Sequence, residues 1–147
     1  MVPRLQTATA EDAERIRVLL ELSGLPTSDL TASKPEFIVA YEHAELIGAG
    51  ALQRFAAVAL LRSVAVAPHR RASGLGRLIV QELERRARAA DVTQLVLLTQ
   101  AARRFFERQG YRAIERQSVP QAVQASEEFR SLCPTSATCM AKTLIRP

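Results

Sequence analysis

The sequence predicts an α+β fold, a mixed and mainly antiparallel sheet of about six to seven strands with helices on both faces, in the order β-α-β-β-β-α-β-α-β-β. Three observations carry it. Apolar runs at 36–42 and 46–54 flank the short turn His43-Ala44-Glu45, and a third run follows at 58–66, the pattern of neighbouring antiparallel strands. The periodicity then changes to one helical stripe, Leu75, Leu78, Ile79, Leu83, Ala87 and Ala90, before a short apolar run at 95–98. Strand, helix and strand at that spacing form a parallel, right-handed crossover. A second helical segment at 102–109 then precedes two further strand candidates, 111–116 and 138–144.

In chain order, an opening strand leads to Thr9 and Asp12, a helix-start signal, and Ala13, Ile16, Leu19 and Leu20 recur at helical spacing until Gly24. Residues 25–35, with Pro26, Thr27, Ser28, Asp29 and Pro35, read as a loop or short helical turn. Loops of this kind carry recognition more often than packing. In the helix from Leu75, Arg77, Gln81, Glu84, Arg85 and Arg88 fall on the outward side. Gly110 ends the 102–109 helix, and a Pro-punctuated connection from Val119 to Pro134 separates the last two strands.

The 147 residues are expected to form one domain, 1–147, large enough to bury roughly 70% of the unfolded surface without a metal or disulfide. No run approaches the roughly 20 apolar residues of a membrane span. Glu11, Asp12 and Glu14 arrive too early for a signal peptide, so the expected location is cytoplasmic, with no membrane partner. The net charge of +5 raises a nucleic-acid reading, but Lys34 and Lys142 are the only lysines, and the arginines interleave with glutamates on helical segments. A solvated arginine-rich surface is the expectation, with Arg70, Arg71 and Arg77 left for local anion binding. Cys133 and Cys139 have no second pair or nearby histidine to complete a metal site and read as free thiols. His43 belongs to the turn, and His69 lies in the basic loop within reach of an anion there.

That loop holds the chemistry. Residues 64–77, Val-Ala-Val-Ala-Pro-His-Arg-Arg-Ala-Ser-Gly-Leu-Gly-Arg, join a strand to the amphipathic helix. Gly74 and Gly76 let the backbone approach a ligand, and the first amides of the helix lack internal partners, so the turn suits a diphosphate. A P-loop is excluded, because one residue separates the glycines and Arg77 follows them. A dinucleotide fingerprint fails at Ile79, where a third glycine belongs, and at Thr99 and Gln100, where an acid belongs.

Arg71-Ala72-Ser73-Gly74-Leu75-Gly76 instead matches the Arg/Gln-x-x-Gly-x-Gly/Ala signature of the GCN5-related N-acetyltransferases (GNAT), preceded as there by a Val-x-Val-x-Pro strand end. Downstream, Ala102-Arg103-Arg104-Phe105-Phe106-Glu107-Arg108-Gln109-Gly110-Tyr111 resembles the family's Ala-x-x-Phe-Tyr-Glu-x-x-Gly-Phe segment. Leu60-Leu61-Arg62-Ser63-Val64, Ser126-Glu127-Glu128-Phe129 and Leu132-Cys133-Pro134-Thr135-Ser136-Ala137 resemble the branch associated with arsenic resistance.

The resemblance implies the GNAT fold, acetyl-CoA as acetyl donor and no metal. It implies a cofactor site in which Val64 and Val66 offer main-chain bonds to pantetheine and Arg71, Ala72, Ser73, Gly74, Leu75, Gly76 and Arg77 hold the pyrophosphate. The implied acceptor is a small amine, amino-acid-like or arsenical, and a homodimer is compatible with it. Two positions depart from the family: Phe106 replaces a tyrosine that often protonates the departing thiolate, and Gln53 stands where a carboxylate base is commonly found. The general acid and base are therefore unassigned, with Tyr111 not placed. A non-catalytic acyl-CoA-binding module and a protein N-acetyltransferase stay open beside the small-molecule enzyme.

Arg62 and Phe106 are the candidate substrate-binding residues. On period-two alternation Arg62 shares a face with Val64 and Val66. Its guanidinium needs a partner, either an internal carboxylate or an acidic group on the substrate. Glu42 and Glu45 read as solvated turn residues.

Overall fold

The computed structural model describes residues 3–145. Its strands are β1 (Arg4–Thr7), β2 (Glu36–Glu42), β3 (Glu45–Phe55), β4 (Val58–Val66), β5 (Gln94–Thr99), β6 (Arg112–Ala113) and β7 (Thr138–Thr143). They form one sheet in the order β1-β2-β3-β4-β5-β7-β6, in which only β4 and β5 run parallel among the described strands. The helices are α1 (Ala13–Leu22), α2 (Leu30–Ser33), α3 (Leu75–Ala89), α4 (Arg103–Arg108) and α5 (Gln121–Gln124). The seven-stranded, mostly antiparallel sheet flanked by helices is the architecture the sequence predicts, with α2 the short turn expected within 25–35 and α5 an added single turn.

Local chemistry explains the main elements. Thr9 and Asp12 form the reciprocal cap ahead of α1, with the Thr9 amide donating to Asp12 Oδ2 at 2.7 Å. His43 and Ala44 both have positive φ, 50° and 65°, as a tight two-residue hairpin between β2 and β3 requires. Leu75, Ile79, Leu83 and Ala87 are buried on one side of α3, as the stripe requires. The strand expected at 111–116 shortens to the pair Arg112–Ala113. The Tyr111 ring turns into the core beneath α3, and the chain leaves the sheet for a 3-10 turn at Arg116–Ser118.

Two apolar clusters sandwich the sheet. The larger includes Leu19, Leu20, Ile47, Leu61, Ile79, Leu83, Leu95 and Phe106; the smaller gathers Leu60, Val96, Val119, Val123, Phe129 and Cys139. Helix α3 lies very close to β3 at Gly50, where an added Cβ would stand 2.7 Å from Ile79 Cγ2 and 2.9 Å from Leu83 Cδ1. Gly50→Val is therefore expected to lower stability by about 1–3 kcal/mol through overpacking. A denaturant melt checks it, and an unchanged midpoint would show that α3 shifts freely on the sheet.

The feature that shapes the site is a bulge in β4. Ala51 pairs with Arg62 and Ala49 with Ala65, so Ser63 and Val64 oppose the single residue Gly50, and Ser63 takes φ 59°. One extra residue reverses the alternation. Val64 turns toward α3, 3.5 Å from where a Gly50 Cβ would lie, while Arg62 follows Ala51 onto the opposite face. The expectation that Arg62 shares a face with Val64 and Val66 is thereby corrected: period two does not survive an inserted residue.

Candidate active site

Strands β4 and β5 pair only from Val58 to Leu60 against Gln94 to Val96. Beyond that point they separate, β5 staying on β7 as far as Thr99. The wedge between them is lined by Val64, Val66, Thr99, Ala102 and Phe106, in a cavity of about 440 Å³ that ends at Arg62, Glu128 and Cys133. A second cavity of about 540 Å³ shares Val64, Val66, Arg71, Ala102 and Phe106 with the first and runs out over Gly74, Gly76 and Arg77. Together they make one cleft with the basic loop at its outer end.

The loop is built to present amides. Ala72 has φ 63° and Gly74, the residue before α3, has φ 88°, a turn glycine adopts without a Cβ penalty. The first amide bond of α3 runs from Leu78 to Gly74, and the N–H groups of residues 72–77 meet no acceptor among the described residues. They stand at the positive end of a 15-residue helix. Of the three arginines reserved for an anion, Arg70 is paired with Glu42 and Arg71 Nε donates to the Val66 carbonyl at 3.2 Å. Among the described residues Arg77 has no such partner. His69 turns to Glu45, 3.3 Å away, so the hairpin glutamates, Glu45 still solvent-exposed as the sequence implied, each approach a side chain of the loop.

Phe106 forms the wall common to both cavities, packed edge-to-face against Phe105 at 5.0 Å and Tyr111 at 5.6 Å between ring centroids. The Tyr111 hydroxyl is committed elsewhere. It donates to Glu84 Oε2 at 2.8 Å, and Lys142 holds the same carboxylate at 3.1 Å. Burial and the Glu84 charge push its phenol far above the ordinary range, so Tyr111 is a neutral structural donor.

Arg62 is buried and gripped from several elements. Its Nη1 and Nη2 donate to Asp29 Oδ2 and Oδ1, both at 2.7 Å, and Nη1 also donates to Gln53 Oε1 at 3.0 Å. Glu128 Oε1 lies 3.7 Å from Arg62 Nε. Burial works to raise the Asp29 carboxyl, but the bonds from Arg62 and Ser33 outweigh it and hold it low. The internal-carboxylate reading of Arg62 thus has its partner, and the guanidinium's charge is taken before any substrate arrives. Gln53 supports Arg62 and offers no base. The sequence does not mark Asp29 and Glu128 as the partners of Arg62, although an arginine inside an apolar strand demands a carboxylate.

Cys133 lines the cavity and Cys139 packs in the smaller apolar cluster; burial pushes each thiol up to about 11, and both keep their protons near neutrality. No cluster of side chains suited to a metal ion occurs among the described residues, and no described helix is long and apolar enough to cross a membrane. A larger hollow of about 950 Å³ opens beside α1 and α2, but it touches neither β4 nor the loop, and its Arg17 and Arg86 are already paired with Glu21 and Glu82.

Comparison with known proteins agrees with this geometry. Residues 33–113 match the family model described as an acetyltransferase (GNAT) domain. An uncharacterized N-acetyltransferase of Chlorobaculum tepidum is 32% identical over 114 residues, covering 74% of this chain and 71% of the relative. Among solved structures, the Neisseria gonorrhoeae N-acetylglutamate synthase complexed with coenzyme A and N-acetyl-glutamate superposes with a TM-score of 0.85 at 19% identity. That match covers 99% of this chain and only 36% of the synthase. The Mycobacterium tuberculosis protein Rv2747, solved with CoA, reaches 0.83 at 25% identity over 97% of this chain and 100% of its own. The Escherichia coli ribosomal-protein-S18-alanine N-acetyltransferase reaches 0.74 at 17% identity, covering 99% and 96%. These comparisons support the family and not its arsenic-resistance branch. With the splayed strands, the amide-lined loop and the matched domain agreeing, the chain belongs to the GCN5-related N-acetyltransferase family.

Proposed function

We infer that this protein transfers the acetyl group of acetyl-CoA to the nitrogen of a small primary amine. The observation that carries the reading is the continuous cleft, with unpartnered amides at its outer end and, along its wall at Val64 and Val66, strand backbone no longer paired with β5. The diphosphate lies on the amides of residues 72–77, the Arg71 amide being bonded to the Pro68 carbonyl, with Arg77 beside it. Each charge-assisted bond there contributes about 1.5–3 kcal/mol, so three or four hold the cofactor without a metal. Pantetheine runs along Val64 and Val66, which brings the thioester to Phe106 and leaves the inner cavity for the acceptor. Chain backbone polarises the carbonyl, and holding an amine against the thioester supplies several kcal/mol by proximity. The two thiols remain protonated and Arg62 is neutralised, so neither favours an arsenical over an ordinary amine.

The test is a thermal-shift series followed by thiol release against a panel of amines. Acetyl-CoA and CoA are expected to raise the melting point well above ATP or NADH, a ligand at about 100 times its dissociation constant adding roughly 2.7 kcal/mol. Equal shifts from ATP would reduce the loop to a generic phosphate site. Phe106 and Gln53 favour a second reading, a module that binds acyl-CoA without turning it over. Phe106→Tyr separates the two: kcat on a fixed amine is expected to rise with the CoA dissociation constant nearly unchanged. An unchanged kcat would assign thiolate protonation to solvent.

A further inference from the structure

The inner end of the cleft holds more carboxylate than its cation balances. Among the described residues Arg62 is the one guanidinium there, and Asp29 already takes both of its Nη groups. Glu128, which opens a π-helical turn at Glu128–Leu132, is 5% exposed and lines the same cavity as Val64 and Val66. Its Oε1 is held 3.7 Å from Arg62 Nε, and its Oε2 has no hydrogen-bond partner among the described residues. A buried carboxylate oxygen without a donor is costly, and the unmet partner is a donor, best a charged one. Cys133, which lines the same cavity and whose thiol feels the Glu128 charge, is only a weak donor.

On the acetyltransferase reading, an aliphatic amine reaches the cleft mainly as an ammonium ion, which has no lone pair to attack a thioester. We propose that Glu128 Oε2 receives the acceptor's ammonium group and takes its proton, so that the site selects cationic primary amines over acceptors with an acid beside the nitrogen. This inference rests on the acetyltransferase reading. The proton moves from R–NH3+ to the Glu128 carboxylate, giving R–NH2 and the neutral acid. The freed lone pair forms the N–C bond as the C–S bond breaks, one of the two remaining N–H protons passes to the departing thiolate, and Glu128 returns its proton to solvent. Arg62 acts as a positioning residue, its guanidinium fixed by Asp29 with Nε 3.7 Å from Glu128 Oε1. Burial raises the Glu128 carboxyl to about 7, Arg62 opposing and Asp29 reinforcing, which poises it for exchange near neutrality.

The experiment is Glu128→Gln, read with benzylamine and glutamate as acceptors and by melting across pH. The variant is expected to keep the acetyl-CoA thermal shift while kcat/KM for benzylamine falls by about 100-fold or more. The acid limb of its pH profile should move from about 7 to the amine's own pKa. Because the folded carboxyl titrates above its ordinary 4.5, the wild type binds more protons folded than unfolded in between, and its stability falls as pH rises from 4.5 to about 7. The Gln variant lacks that decline. An unmoved pH limb with a lowered melting point would make Glu128 merely structural and overturn the proposal. So would a wild type that binds acetyl-CoA yet acetylates glutamate in preference to benzylamine, or that acetylates no cationic amine. Absence of any acetyl-CoA shift in the wild type would instead sink the acetyltransferase reading beneath it.

Discussion

Arg62→Met is expected to cost about 3–5 kcal/mol of stability, the effect of leaving a buried carboxylate without its cation. Two carboxyls converge on this guanidinium, and Asp29 loses two bonds of 2.7 Å at once. At about 2–4 °C per kcal/mol for a chain of this size, the melting point should drop on the order of 10 °C. Methionine fills much of the arginine stem's volume, so the loss measures charge rather than a cavity. The double variant Arg62→Met/Asp29→Leu should recover part of it, since replacing both partners of a buried pair removes the stranded charge. A single variant that melts with the wild type and loses activity only on acidic acceptors would return Arg62 to substrate recognition.

Gly76→Glu is expected to abolish the acetyl-CoA thermal shift, about 2.7 kcal/mol at 100 times the dissociation constant, while the unliganded protein melts near the wild type. The geometry separates folding from binding. A Cβ at Gly76 would sit 3.4 Å from Phe105 and 3.8 Å from Val66, close to ordinary contact, whereas a longer acidic side chain enters the cavity beside Arg77 and repels a diphosphate. Gly76→Ala serves as the control, with the fold intact and binding weakened less. An undiminished shift in the Glu variant would remove the loop from the cofactor site.

The element order and the glycine-bearing turn before α3 were legible along the chain. Apolar periodicity is a local property, and α3 and β4 begin and end within a residue of where that periodicity changes. The loop at 71–77 and the segment at 102–111 are each contiguous, so their likeness to acetyltransferases could be read along the chain. The strand at 111–116 was legible only in part, because the pull of Tyr111 toward Glu84 depends on a helix distant in sequence. The surroundings of Arg62, by contrast, emerge only once the chain is folded. A single inserted residue at Ser63 reverses the facing of everything after it, and no periodicity reveals where a bulge falls. The carboxylates that meet Arg62 come from a loop before α2 and a turn before β7, brought together by packing rather than spacing. Charge pairing in a low-dielectric interior depends on distance and burial, and neither is written in the order of the residues.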